Sequence, residues 1–184
     1  MKKIHSILAI MCITFAACAQ QMESEVKAED PIDVNYTTEL IVPELNIPWG
    51  MTFLPDGSML ITEKSGELIH FMDIELHPDY ENNGWIYMTY ASEEGEGEGG
   101  NTALARAKLN GNALVELEQL YKAEPNSKKG QHWGSRIEFD DDGYLYFSIG
   151  DRGNRDENPQ DITRDCGKIY RLNDDGSIPS DNPF

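Results

Sequence analysis

From residue 48 onward apolar and polar positions mostly alternate with a period of two, and turn residues break the pattern at short intervals. The stretch from Gln131 to Asp151 shows it best. Ile137 and Phe139 alternate with Arg136 and Glu138, which predicts a strand. Asp142-Gly143 is hairpin-turn chemistry, and Tyr144 to Ile149 is β-branched and aromatic enough to be the return strand. Upstream, Met51 to Leu54, the turn Pro55-Asp56-Gly57 and Met59 to Thr62 repeat the plan. Ser65-Gly66 turns again, and Glu67 to Phe71 predicts a third strand of that block. A new block starts at Ile74, passes a long turn from Pro78 to Gly84, and continues as strand from Trp85 to Tyr90. Asn101 to Leu109 and Leu114 to Lys122 follow as strands, although the Glu and Leu of the latter also allow a helix. Gly167 to Leu172 is the last strand, before an Asp175-Gly176 turn. Thr38 to Val42 is β-like as well.

The blocks repeat. Trp49-Gly50, an apolar pair, Asp56-Gly57 and a strand recur as Trp133-Gly134, Ile137, Phe139, Asp142-Gly143 and a strand; a middle copy starts at Leu76-His77-Pro78-Asp79 without the Trp. Repeated hairpins with D-G turns predict an all-β chain built as a β-propeller, with a β-sandwich as runner-up. A blade takes roughly 40–50 residues, so the body holds about three, and the turn spacing leaves the first short of an outer strand near Phe71-Met72-Asp73. Closed propellers have at least about four blades. The expectation is a partial β-propeller, a piece of a longer protein.

The N-terminus departs from this pattern. Lys2-Lys3, an apolar run from Ile4 to Ala17 and small residues after it have the layout of a secretory signal over residues 1–19. Two processing routes fit: cleavage before Gln20 after Ala17-Cys18-Ala19, or a lipobox at Phe15-Ala16-Ala17-Cys18 with Cys18 as the lipidated, membrane-attaching residue. Either exports the protein, to the periplasm or to an outer-membrane anchor. Residues 20–37 are polar and acidic, a linker or tether, and residues 38–184 form the propeller part. Cys12 and Cys18 belong to the signal, so Cys166 is alone in the body, a small, partly buried residue without a disulfide partner. The formal net charge of -18 argues against nucleic acid and against an anionic membrane surface as partners.

Candidate chemistry sits around the best hairpin. It brings His132 and Asp151 towards one end of a sheet, where a carboxylate can hold an imidazole as general base. A loop histidine and a strand-ending aspartate with no shared task is the simpler reading of that spacing. Asp151, Asn154, Asp156, Asn158 and Asp161 crowd one loop with oxygen ligands. Their spacing is not that of an EF-hand, and an ordinary polar loop explains them first. Glu93 to Gly100 reads as a solvated mobile loop, His70 and His77 as surface residues at strand ends, and the strand tyrosines as packing between blades.

WGMTFLPDGSMLITEKSGELIHF, DIELHPDYENNGWIYMTY, GQHWGSRIEFDDDGYLYFSIGD and CGKIYRLNDDGSIPSDNPF resemble the PQQ-dependent soluble aldose (glucose/sorbosone-type) sugar dehydrogenases. The resemblance implies a six-bladed propeller that oxidises an aldose sugar at C1 to the lactone. Hydride passes to PQQ, Ca²⁺ sits on the quinone oxygens, and an electron acceptor follows. It places His132 as the catalytic base, Asp151 as its support, and Gln131 beside His132 at the cofactor; Asp156 falls in a loop bordering the substrate side. Arg136 belongs to the motif, and its place in an alternating strand predicts an outward salt bridge. Relatives carry a Gly-rich stretch with a cofactor-contacting glutamine before the second blade, which Phe71-Met72-Asp73 leaves no room for. Their quinone-holding cations and Ca²⁺ ligands belong to later blades. The expectation is therefore that the parent is the enzyme, and that the polypeptide as written neither retains PQQ nor turns over sugar. The alternative is a propeller that only binds a carbohydrate or protein.

Overall fold

The computed structural model describes residues 37–64 and 71–183. The predicted signal, Cys12, Cys18, almost all of the linker, His70 and most of the strand predicted from Glu67 lie outside them. Val42 to Phe184 forms one compact unit.

Among the described residues nine strands make three antiparallel sheets in chain order. The first pairs β1 (Pro48–Phe53) with β2 (Met59–Glu63). The second orders β3 (Phe71–Leu76), β4 (Trp85–Ser92), β5 (Asn101–Asn110) and β6 (Ala113–Lys122). The third orders β7 (Gly134–Phe139), β8 (Leu145–Ile149) and β9 (Lys168–Leu172). These are the predicted blades. Lys122's segment is strand, not helix. Three readings need correction. Thr38 to Val42 pairs with nothing in the described structure. Phe71 opens the second sheet rather than closing the first. The turn after Pro78 contains one helical turn, α1 (Tyr80–Asn83), closed by Gly84 at φ 71°.

The inner strands of the second sheet, β4 and most of β5, are buried on both faces, whereas its outer strand β6 is largely exposed. Ile74, Ile86, Met88, Ala105 and Ala107 face the first sheet, with Leu60 packed against them. Tyr87 and Leu104 face the third sheet and meet Ile137, Leu145, Phe147 and Leu172. Tyr121, Phe147 and Tyr170 cluster at this second seam, with centroids 4.9–5.6 Å apart. Burial pushes the Tyr170 and Tyr121 hydroxyls well above the usual phenol range. The far face of β1 is open, with Trp49, Met51 and Phe53 exposed.

All three first strands lose register at the same place, between Pro48 and Met51, Phe71 and Asp73, and Gly134 and Ile137. Each bulge frees backbone groups that a hydroxyl on the second strand can meet. Thr62 Oγ1 accepts the Gly50 N–H (2.8 Å) and reaches the Met72 carbonyl of the next blade (3.3 Å). Thr89 Oγ1 accepts the Asp73 N–H (3.1 Å) and donates to the Ser135 carbonyl (2.9 Å). The buried Asp73 carboxylate completes the second seam, accepting from the Ile137 N–H (2.7 Å) and from Arg136 Nη1 (2.9 Å). The outward salt bridge expected of Arg136 is this one, its side chain 74% exposed.

His77 is not a surface residue. Its ring packs on Phe139 at 5.4 Å, and Nδ1 accepts the Asp79 N–H at 2.9 Å, holding the start of α1. The loop from Glu93 is exposed as expected but pinned, because the Asn126 amide donates to the carbonyls of Glu93, Glu94 and Gly97.

Asp73→Ala should lower unfolding free energy by about 1–3 kcal/mol, since it strands a buried Ile137 N–H. Arg136→Ala, at an exposed partner, should cost under about 1 kcal/mol. Urea denaturation of the two variants checks the ordering.

Candidate active site

The bulge at the start of β7 decides where the site lies. Gly134 takes φ 78°, and an added Cβ there would sit 2.6 Å from the Gly150 nitrogen. A Cβ on Gly150 would lie 1.8 Å from the His132 carbonyl oxygen. Only glycine at both positions lets the loop before β7 cross the end of β8 this closely. The crossing is fastened by the Gly150 N–H donating to the Trp133 carbonyl at 3.0 Å. His132 itself sits in the left-handed region at φ 54°.

The consequence is contact between the two predicted catalytic residues. His132 Nδ1 and Asp151 Oδ1 are 2.8 Å apart, and the same oxygen accepts the Gly153 N–H at 2.7 Å. The His132 hydrogen bond, then the Gly153 amide, holds the Asp151 carboxyl below the usual aspartate range. With Nδ1 engaged by the carboxylate, Nε2 is the ring nitrogen left to take a proton.

A cavity of about 510 Å³ opens beside the imidazole, walled by Trp49, Lys64, Phe71, Gln131, His132 and Trp133 among others. Gln131 thus shares a wall with His132. Asp156 does not join them: its side chain is 87% exposed and pairs with neighbouring Arg155 at 3.4 Å. Cys166, expected to be partly buried, is fully so. The oxygen-rich loop turns inward on itself, with Asn158 donating to the Asp151 carbonyl at 2.9 Å and Asn154 to Glu157 at 3.0 Å. Among the described residues no group of three or more His, Cys, Asp or Glu side chains is placed to hold a metal ion.

The sequence reading missed Arg152. At 1% exposure it is the largest fully buried side chain, stacked 3.4 Å over the Trp133 ring. Its Nη1 donates to the Gln131 carbonyl (3.0 Å) and its Nη2 to the Lys129 carbonyl (2.6 Å). It clamps the loop that carries Gln131 and His132. An arginine in a polar loop reads as solvent-facing, so no local pattern marks it. Lys64, Trp49 and Phe71 come to the cavity from other blades, which no local spacing could show.

Blades in this arrangement define the class: a β-propeller. A sequence model of the family described as Glucose / Sorbosone dehydrogenase matches residues 45–72 and 70–184, and the chain belongs to that family. The two matched segments overlap at residues 70–72. The aldose sugar dehydrogenase YliI of Escherichia coli K12 is 31% identical over 181 residues, 84% of this chain and 48% of that protein. The quinoprotein glucose dehydrogenase B of Acinetobacter calcoaceticus is 24% identical over 232 residues, 98% of this chain and 48% of that protein. The crystal structure of the apo-form of the soluble aldose sugar dehydrogenase from Escherichia coli matches with a TM-score of 0.69. There the identity is 30%, over 76% of this chain and 48% of that one. The chain spans about half the length of these relatives.

Two outcomes are expected. Gly150→Ala should destabilise the fold by about 1–3 kcal/mol, because the His132 backbone must move; thermal or urea unfolding measures it. Asp151 should titrate below an ordinary aspartate in carboxyl-carbon NMR, and His132→Ala should raise it. A carboxyl lowered on folding stabilises above its unfolded pKa, and that stability fades as pH falls through the folded one.

Proposed function

We propose that this chain carries the proton-accepting side of a quinone-linked aldose oxidation site, the whole protein being a PQQ-dependent aldose sugar dehydrogenase. The observation that carries the reading is the His132–Asp151 contact at 2.8 Å on the wall of a cavity that Gln131 also lines. His132 Nε2 takes the proton from the anomeric hydroxyl as the C1 hydride leaves, and the sugar becomes its lactone. Asp151 fixes the imidazole tautomer and stabilises the imidazolium that forms. Gln131 borders the reacting edge. Bound PQQ, with Ca²⁺ on its oxygens, would supply the two-electron acceptor, which a separate electron acceptor then reoxidises.

The walls fit such a cofactor in part. Trp49, Phe71 and Trp133 offer flat aromatic surface, and the volume admits a fused-ring quinone. Among the described residues, Lys64 and His132 are the cationic or protonatable side chains on that wall, too few to neutralise a quinone bearing several carboxylates. The break in the family match at 70–72 points the same way. On this reading the chain as written does not retain PQQ and is inactive. Those two observations also favour the second reading, a propeller that binds a carbohydrate or protein without chemistry. The N-terminal segment exports the protein, either by cleavage before Gln20 or with Cys18 as lipid anchor. Among the described residues no helix is long and apolar enough to cross a membrane.

Reconstitution with PQQ and Ca²⁺ followed by a glucose-dependent dye-reduction assay tests this. The chain alone should give no turnover. In a full-length protein carrying the missing stretch and later blades, His132→Ala should cut kcat by at least about 10²-fold, the scale of a lost general base. Unchanged kcat would remove His132 from the chemistry.

A further inference from the structure

On the other side of the Arg152 clamp lies a second, smaller cavity of about 180 Å³. Lys129, Arg152 and Arg164 line it, with Asn126, Asn154 and Asn158, and no carboxylate is on its wall. In a chain of formal net charge -18 that concentration of cations is unusual. Their existing partners leave donors over. Lys129 Nζ donates to the Gly153 carbonyl at 2.7 Å. Arg164 pairs through Nε with Asp161 at 3.2 Å and through Nη1 with Asn158 Oδ1 at 3.1 Å.

Arg152 supplies the decisive observation. Its guanidinium meets carbonyl oxygens and the Trp133 face but no carboxylate, and its Nε is the one buried side-chain nitrogen or oxygen without a partner among the described residues. Burial lowers its pKa, yet a guanidinium keeps its charge at any ordinary pH. A buried cation with a stranded N–H calls for an anion or a water. A water occupies about 30 Å³, so the cavity has room for a tetrahedral oxyanion and some hydration. It is too small for the fused-ring quinone.

We propose that this cavity is a binding site for a small oxyanion of the phosphate or sulphate class, held by Arg164 and Lys129 through charge-assisted hydrogen bonds, with the buried Arg152 charge behind its wall. Occupancy neutralises the buried guanidinium and stiffens the loop that carries His132, because the same side chain clamps that loop. The site is independent of the sugar chemistry and stands or falls separately from it.

The test is titration of the purified chain with inorganic phosphate, and then sulphate, at constant ionic strength set by NaCl. Calorimetry and thermal unfolding are the readouts. A saturable heat signal and a rise in Tm beyond the NaCl control are expected. Lys129→Gln with Arg164→Gln, both exposed and away from the core, should weaken phosphate binding by at least about tenfold. The single variant Arg164→Gln serves if the pair unfolds. A Tm that follows ionic strength alone, meaning water fills the cavity, would overturn the proposal. So would equal affinity in the variants.

Discussion

The seams between blades depend on one recurring bond: a hydroxyl on the second strand of a blade that takes an amide from its own first strand and reaches a carbonyl in the next. Sheets stacked face to face gain dispersion and apolar burial, but those forces do not set register. The bulge in each first strand would leave buried amides and carbonyls unpaired without a polar partner. Thr62 and Thr89 fill that role at successive seams, and the Asp73 carboxylate strengthens the second. In the third sheet the equivalent position, opposite the β7 bulge, is Ser148.

The bulge that each seam requires is also what builds the site. In the third blade it falls at Gly134, brings the His132 backbone across the end of β8, and so sets an imidazole against the first carboxylate beyond that strand. Seam and site therefore share a cause, and His132 is positioned by the architecture more than by its own loop. Arg152 adds the second constraint. It ties the carbonyls of Gln131 and Lys129 to a buried stack on Trp133, so that the loop has little freedom to move its histidine.

Much of this was legible in the residues. Alternation and D-G turns gave eight of the nine strands close to their observed bounds, because period-two patterning and positive-φ glycines are local signals. The shape of a single hairpin allowed His132 to meet Asp151, but its spacing alone favoured two unrelated residues, and it was the family resemblance that paired them. What stayed hidden depended on distant partners. His77 looks like a strand-end surface residue until Phe139 covers it. Thr38 to Val42 has β-forming residues but no neighbouring strand to pair with in the described structure. Asp156, expected to border the substrate side, is turned outward by its loop.

The backbone at position 132 carries a further implication. An L-residue pays for a left-handed conformation in steric strain, and glycine there would relax it. Directed evolution screened on heat resistance alone will therefore drift towards replacing the histidine, gaining robustness while erasing the proposed base. On that reading durability and reactivity pull against each other at this one residue, and any selection scheme must score both.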